Sequence, residues 1–388
     1  MPRKLYMSLS VAALSLVPLA ACSYQEKGEE NVAQAPQATL DAMVSNDDPG
    51  AQLPAEDQPR PLMQAQVVLD RLGFTPGVID GKMGMSTVNA LKGFQEARGL
   101  QITGELDQAT QQALAEWKHI PATRVVTIPA DFANDQFVQI PKEREDQAKL
   151  PSMGYASLGE KIAERFHTTE EVLAELNAQP AATPTGAPAA TEGNEAAPQD
   201  NEAAPKPALA FKAGMQLRVP NIGADKFDPA AVKNAKWVST LRLLGVGTDQ
   251  PKAAKIEVDK SDQVLRVLDG QGKLLAQFTA TMGSSQFPLP LGTWKIRGTS
   301  YNPPWQYDPA LLATADKSDP KLEIPPGPNN PIGVVWIDLS KEHYGIHGTD
   351  EPNRIGRAES NGCIRLTNWD AARLAQMVDP GIEAVFKA

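Results

Sequence analysis

Residues 178–208 contain no Leu, Ile, Val or aromatic residue and are dominated by Ala and Pro. Such a stretch buries too little apolar surface to offset the entropy lost on ordering, which predicts a flexible insertion. Residues 22–60 are polar, acidic and Pro-containing, and predict a disordered tether. The chain of 388 residues is therefore expected to fold as several blocks, with linkers that let the blocks act independently.

The composition excludes several classes of function. A net charge of −10 without a basic tract disfavours binding to a phosphate backbone, so no nucleic-acid partner is expected. Two cysteines exclude a disulfide framework or a Cys-rich zinc site, and four histidines leave little for a multi-His metal centre. We therefore expect no metal centre of either kind.

Residues 1–21 have the pattern of an export signal. Arg3 and Lys4 precede an apolar stretch that is too short for a comfortable membrane span. The stretch ends in Leu-Ala-Ala-Cys at Cys22, which resembles a bacterial lipobox, whose Cys becomes the lipidated first residue. Ser23 in place of Asp favours, by resemblance to Gram-negative lipoproteins, the outer membrane facing the periplasm. An ordinary signal peptide with an incidental Cys is the alternative.

Residues 61–118 show helical spacing of apolar residues in three segments, interrupted by Gly73, the Asp80-Gly81 turn and Gly99. Two segments form a degenerate internal repeat of Gly, turn, acidic residue, Thr and helix. The block resembles the small all-α, three-helix peptidoglycan-binding domain of cell-wall enzymes. The alternative is a small bundle in which the repeat serves only packing.

Residues 119–150 read as a connector, and residues 151–222 as one small α+β unit interrupted by 178–208. Two amphipathic helices precede the insertion and a short strand follows it, an arrangement that resembles a LysM module, which recognises N-acetylglucosamine. Leu158-Gly159-Glu160 stands where a Gly-Asp pair is usual, so the first strand is weak and the unit is either a glycan reader or a structural spacer. If 178–208 instead links two domains, the two halves share no core.

Residues 250–388 change to alternating apolar patterns with turn signals, typical of a mainly-β sandwich. One helix is clear, and it begins near Thr367. The Pro-, Asn- and Gly-rich stretch 298–333 is long for a loop, and its aromatic residues favour a lid. The predicted fold is multidomain.

The chemistry is concentrated in Ile-His-Gly-Thr at 346–349 and Ser-Asn-Gly-Cys-Ile-Arg-Leu at 360–366. A Cys with a His shortly before it is a candidate nucleophile and general base, here Cys363 and His347. Gly362 allows a close backbone approach and an oxyanion hole formed by successive N–H groups. Arg365 is suited either to a substrate carboxylate or to stabilising the thiolate.

These motifs resemble the catalytic domain of the L,D-transpeptidases with the YkuD domain, the cysteine enzymes of peptidoglycan, over about residues 250–388. The resemblance implies that the Gly348 carbonyl orients His347 and that Ser360 supports the loop. It further implies a set of substrate-binding residues: Trp305, Tyr307, Asn330, Thr349 and Asn361. Asn361 stands where many members have His, a position at which the family tolerates other residues.

The implied reaction is acyl transfer from the diaminopimelate–D-Ala bond of a tetrapeptide stem, through a thioester, to an amine acceptor. The resemblance implies that this reaction needs no metal and no organic cofactor. Implied partners are peptidoglycan stem peptides and glycan, the membrane through Cys22, and a wall-linked lipoprotein as one acceptor. Two alternatives stay open: a non-catalytic wall-binding scaffold, and a hydrolase or L,D-carboxypeptidase that uses water as the acceptor.

Overall fold

The computed structural model describes residues 58–178, 209–223, 227–312, 315–357, 360 and 362–388. The predicted signal peptide, Cys22, most of the tether, nearly all of the insertion and Asn361 lie outside the described residues. Within the described part of the chain, no helix has the length and apolarity needed to cross a membrane.

Residues 61–118 are the helical block. They form three helices, as predicted: α1 (Pro61–Arg71), α2 (Met85–Ala97) and α3 (Gln108–Leu114), with the short strand β1 (Phe74–Thr75) after α1. The internal repeat has a structural counterpart. The Gln66 side-chain carbonyl accepts the backbone N–H groups of Asp80 and Gly81, while its amide donates to the Thr87 hydroxyl. Gln95 repeats this pattern in the second turn, with the partners Thr103, Gly104 and Thr110. A buried glutamine therefore stabilises each turn.

The middle block, residues 123–178 and 209–220, contains a two-stranded antiparallel sheet of β2 (Thr123–Thr127) and β3 (Gln216–Pro220). Between these strands in sequence lie α4 (Ala130–Ala133), α5 (Arg144–Gln147), α6 (Leu158–Arg165) and α7 (Glu170–Asn177). Leu173, Leu176 and Val219 lie in one apolar cluster, so the segments on both sides of the insertion share a core. The expected boundaries need correction, because the first strand lies at 123–127, inside the predicted connector.

The C-terminal block, residues 235–388, begins with α8 (Ala235–Leu244), a helix that precedes the predicted catalytic domain and was not expected. The strands are β4 (Lys255–Asp259), β5 (Val264–Leu268), β6 (Leu274–Thr279), β7 (Thr281–Met282), β8 (Gly292–Tyr301), β9 (Trp305–Tyr307), β10 (Leu322–Ile324), β11 (Val335–Leu339), β12 (Gly345–His347), β13 (Ile364–Arg365) and β14 (Glu383–Lys387). The predicted helix near Thr367 is α9 (Asn368–Met377), with the Thr367 hydroxyl accepting from the N–H of Asp370.

One sheet of ten strands runs in the order β1-β6-β5-β4-β14-β8-β11-β12-β13-β7. Only Ala280 separates β6 near one edge from β7 at the other edge, so the sheet must curl until its two ends are adjacent. Val258 of β4, Ile337 of β11 and Leu374 of α9 accordingly share one core. The predicted β-rich fold is confirmed. The two layers of the predicted sandwich are parts of one continuous sheet.

The stretch 298–333 contains the two short strands β9 and β10, and the expectation that it forms a lid stays a prediction. β9 and β10 pair as an antiparallel ribbon. Tyr307 and Ile324 of this ribbon form an apolar cluster with Met153. The Met153 N–H also donates to the Pro326 carbonyl at 2.9 Å. The ribbon is therefore packed against the middle block.

The helical block also packs against the C-terminal block, which corrects the expectation of independent domains. β1 pairs in parallel with β6 and extends the ten-stranded sheet. Leu268 and Leu274 of the sheet complete the apolar cluster of the helical block. Asp70 of α1 forms a buried ion pair with Arg373 of α9, with an N–O distance of 2.9 Å. The apolar side chains and the ion pair that are buried between the two blocks hold them together as one packed unit.

Candidate active site

His347 ends strand β12, and its ring is held on two sides. Cross-strand register places it opposite Trp336 of β11, and the two rings stack with centroids 5.5 Å apart. Nδ1 of His347 lies 2.7 Å from the carbonyl oxygen of Gly348. Because a carbonyl only accepts, Nδ1 must carry the proton, which leaves the Nε2 lone pair free to act as a base.

Gly348 lies in a space that excludes any side chain. A Cβ at this position would lie 2.2 Å from Oδ1 of Asn368, the first residue of α9, and 3.3 Å from the Cα of Gly333. The Gly348 N–H donates to the Val335 carbonyl at 3.3 Å. Close packing against the Asn368 side-chain amide thus fixes the position of the Gly348 carbonyl, which orients His347.

Cys363 immediately precedes β13, in a loop held by Ser360. The Ser360 hydroxyl donates to the Cys363 carbonyl at 2.6 Å and accepts from the Gly283 N–H at 2.7 Å. It also accepts from the Gly362 N–H at 3.2 Å. This N–H, expected in an oxyanion hole, is therefore engaged within the protein and would have to exchange its partner to bind an oxyanion.

Position 362 requires glycine for two reasons. Its φ of +100° lies in a region that L side chains rarely adopt, and a Cβ would lie 2.6 Å from Cε1 of Tyr344. The Tyr344 ring is therefore the immediate neighbour of the loop that presents the thiol. No motif in the sequence indicates this contact between Tyr344 and Gly362.

Both reacting groups are neutral in this environment. Burial lowers the pKa of His347 to about 3, with the charge of Arg365 acting in the same direction and the Gly348 carbonyl opposing it. Burial raises the pKa of the Cys363 thiol, whereas the Gly345 N–H and Arg365 act to lower it. The free protein thus holds Cys363 as a thiol and His347 as a neutral imidazole, not as a thiolate and an imidazolium.

The thiol keeps some solvent exposure and is free of any disulfide. The thiol donates to the His343 carbonyl, 3.9 Å away. Among the described residues, it has no hydrogen bond to the His347 imidazole, and a looser arrangement is common before substrate binds. Arg365 pairs in register with His347 across β12 and β13. Its Nε is buried, and within the ranges that the structure describes it has no hydrogen-bond partner.

The residues predicted to bind substrate have other partners in this structure. Tyr307 is buried, and its hydroxyl donates to Asp319 at 2.9 Å. Asn330 is fully buried. Its side-chain NH₂ group donates to the Pro325 carbonyl, and its side-chain oxygen accepts from the Ile332 N–H. Trp305 is half-buried under the Arg144 guanidinium, which lies 4.7 Å from the ring centroid.

The polar groups of Tyr307 and Asn330 are thus buried and hydrogen-bonded within the described part of the chain, and their role in substrate binding stays a prediction. Thr349, next to the site, is also buried and accepts from the Glu351 N–H at 3.2 Å. No group of three His, Cys, Asp or Glu side chains within the described ranges could hold a metal ion.

Three residues that complete the site were not found from sequence: Trp336, Tyr344 and Asn368. The aromatic residue opposite His347 follows from strand register, which alternating patterns alone do not specify. The contacts of Tyr344 and Asn368 with glycines become visible only when the loops are placed.

Comparison with known proteins agrees with this geometry. Residues 253–386 match the family model described as the YkuD L,D-transpeptidase catalytic domain. Residues 60–114 match a peptidoglycan binding domain. A protein of Fuscovulum blasticum, named as an L,D-transpeptidase, is 31% identical over 173 residues, covering 45% of this chain and 89% of that protein.

Two relatives are more similar over a shorter stretch. The L,D-transpeptidase YkuD of Bacillus licheniformis is 54% identical over 56 residues, 14% of this chain and 34% of that protein. The alignments with this protein and its Bacillus subtilis counterpart span about a third of those relatives. A solved L,D-transpeptidase from Mycobacterium smegmatis covers 34% of this chain and 58% of that chain, at 23% identity and a TM-score of 0.28. A TM-score of this size does not establish a common fold.

Proposed function

The chain belongs to the L,D-transpeptidase family with a YkuD catalytic domain, and from this premise we propose that it is a peptidoglycan L,D-transpeptidase. The observation that carries the proposal is the His347 imidazole, whose Nδ1–H is committed to the Gly348 carbonyl, beside the loop of a free, partly exposed Cys363 thiol. A neutral imidazole with a free Nε2 lone pair is the form that a general base requires.

In the proposed first half-reaction, Sγ of Cys363 attacks the carbonyl carbon of the diaminopimelate–D-Ala bond in a tetrapeptide stem. His347 Nε2 takes the thiol proton as the carbon–sulfur bond forms. The resulting imidazolium then protonates the departing D-Ala nitrogen, the carbon–nitrogen bond breaks, and a thioester remains. Arg365 stabilises the negative charge that develops near the sulfur.

In the second half-reaction, an amine attacks the thioester carbonyl and transfers a proton to His347. A new amide forms and the thiol is released. A side-chain amine of another stem gives a cross-link, whereas a protein lysine gives attachment of that protein to the wall. With water as the acceptor, the same site is an L,D-carboxypeptidase.

The other blocks extend the proposal to location and binding. The match over residues 60–114 supports peptidoglycan binding by the helical block. In residues 123–220, β2 and β3 flank four helices, and the two longer helices, α6 and α7, together with the two strands support a LysM-like module. Export, lipidation at Cys22 and an outer-membrane position facing the periplasm are part of the proposal and rest on the N-terminal sequence.

The test is incubation with a disaccharide-tetrapeptide, with and without an added D-amino acid, and mass spectrometry of the products. We expect loss of D-Ala, a cross-linked dimer, and exchange when the D-amino acid is present. Tripeptide without dimer or exchange would favour the carboxypeptidase, and intact tetrapeptide would leave only the wall-binding scaffold.

A further inference from the structure

A buried carboxylate of the middle block reaches the catalytic block. Glu164 on α6 is 8% exposed, and its Oε1 accepts from the side-chain amide of Asn368 at 2.7 Å. Its other oxygen accepts from the hydroxyl of Tyr155, which is also buried. Glu164 and Asn368 are 204 positions apart in the chain, so the packing of two blocks creates the contact.

The orientation of the Asn368 amide is determined by its partners. Its NH₂ group donates to Glu164 and to the Pro328 carbonyl at 3.2 Å. Its Oδ1 accepts from the Val334 N–H at 3.2 Å and lies against Gly348. If the amide were reversed, its NH₂ group would face the Val334 N–H, and the Glu164 carboxylate and the Pro328 carbonyl would lose the donor that Asn368 supplies.

We propose that Glu164 is a positioning residue for the catalytic histidine, acting through Asn368 and Gly348. By holding the amide in this orientation, it presents Oδ1 to the Cα of Gly348 and fixes the carbonyl that accepts from His347 Nδ1. The middle block therefore contributes to the active site irrespective of any glycan that it binds. A carboxyl at this position keeps an acceptor lone pair toward Asn368 whether it is ionised or protonated.

The inference rests on the proposed function only where turnover is measured, so its first readout is independent of activity. Glu164→Met has similar length and fills the space without an acceptor, whereas Glu164→Gln restores one. The chain has four histidines, which makes the ¹⁵N resonances of the imidazoles assignable in the full-length protein. We expect the Nδ1–H form of His347 in the wild type and in Glu164→Gln, and a mixture of tautomers in Glu164→Met.

The second readout is turnover of the disaccharide-tetrapeptide. A small misplacement of a catalytic group costs up to about 100-fold in rate, so we expect kcat of Glu164→Met to fall about 10- to 100-fold with little change in KM. Glu171→Met, at an exposed position of α7, is the matched control and should retain the wild-type tautomer and kcat.

A Glu164→Met protein with the wild-type tautomer would overturn the proposal, even if its melting temperature is lower, because stability would then be the only role of Glu164. A shifted tautomer with a wild type that does not turn over substrate would support the positioning role while contradicting the proposed function.

Discussion

The ionisation of Cys363 and His347 determines how the reaction starts. The pKa of the thiol lies above its usual range and that of the imidazole is about 3, both because of burial. Near neutral pH the pair is therefore uncharged, and proton transfer must accompany the attack. In this respect the site differs from cysteine proteases that hold a preformed thiolate.

Arg365 is the charge that brings the thiol closer to ionisation, so its removal gives a directional prediction. Because its positive charge lowers the Cys363 pKa, Arg365→Gln should shift the pH profile of Cys363 alkylation by iodoacetamide to higher pH. Arg354→Gln, at an exposed position between β12 and β13 where the guanidinium pairs with Glu351, is the control and should leave the profile unchanged. Coincident profiles of Arg365→Gln and the wild type would contradict the assigned role.

At this scale, the sequence predicts the residues that react but not those that hold them. His347, Gly348, Ser360, Gly362 and Cys363 lie within two short motifs, where residue type and spacing already indicate the chemistry. Asn368 is only five positions from Cys363, yet its contact with Gly348 depends on how α9 packs. The role of Tyr344 likewise depends on where its ring lies relative to Gly362.

At the scale of elements, the junction between α1 and α9 is a buried polar contact. Both carboxylate oxygens of Asp70 accept from the Arg373 guanidinium, at 3.0 and 2.9 Å. His167 of the middle block contacts Asp70 at 3.2 Å and stacks on Trp369 of α9. One carboxylate thus joins all three blocks.

Loss of this carboxylate should be costly. Asp70→Asn removes the carboxylate that lies closest to the buried Arg373 guanidinium, and breaking a buried pair costs about 3–5 kcal/mol. Asp262→Asn is the matched control, because its exposed pair with Lys92, 3.4 Å apart, joins the same two blocks. An exposed pair contributes about 0–1 kcal/mol. Urea unfolding should separate the two variants, and equal free energies of unfolding would contradict this account.

Elements with local signals were predicted well, and those that depend on distant partners were not. The helices of 61–118 follow from apolar spacing and turn residues. Strand β2 has a β-branched sequence, Thr-Arg-Val-Val-Thr, but its partner β3 begins almost ninety positions later, so the sequence predicts only a connector there. The pairing of β9 with β10 and their packing against Met153 also depend on partners that are remote in sequence, so the sequence predicts a loop in place of these strands.

For the whole molecule, docking of the helical block changes what its removal should do. A chain lacking residues 58–118 would lose β1 from the sheet edge and expose Leu268 and Leu274. We expect a lower melting temperature and reduced turnover of a small soluble stem peptide, in addition to weaker sedimentation with purified sacculi. Unchanged melting and turnover would show that the docked arrangement contributes nothing to the catalytic block.

Stability should also depend on pH through Asp370. Burial raises its pKa to about 7, with Asp70 acting in the same direction and Arg373 opposing it. A raised folded-state pKa gives a stabilising contribution that is complete below the ordinary value of 3.8 and is lost as the pH rises to about 7.

The variant Asp370→Asn lacks this dependence. Its free energy of unfolding should therefore increase relative to wild type between about pH 4 and pH 7, by on the order of 4 kcal/mol at most. Urea unfolding of both proteins across this range measures the difference. A difference that does not vary with pH would contradict the raised pKa.

The most direct test of the central claim is the intact mass of the protein after brief reaction with disaccharide-tetrapeptide and acid quenching. The wild type should gain the mass of the substrate less that of D-Ala, on a peptide that contains Cys363. Cys363→Ala should fold, because the thiol contributes little packing area, and should gain no mass. An adduct on Cys363→Ala, or on another residue of the wild type, would contradict the assignment of Cys363 as the nucleophile.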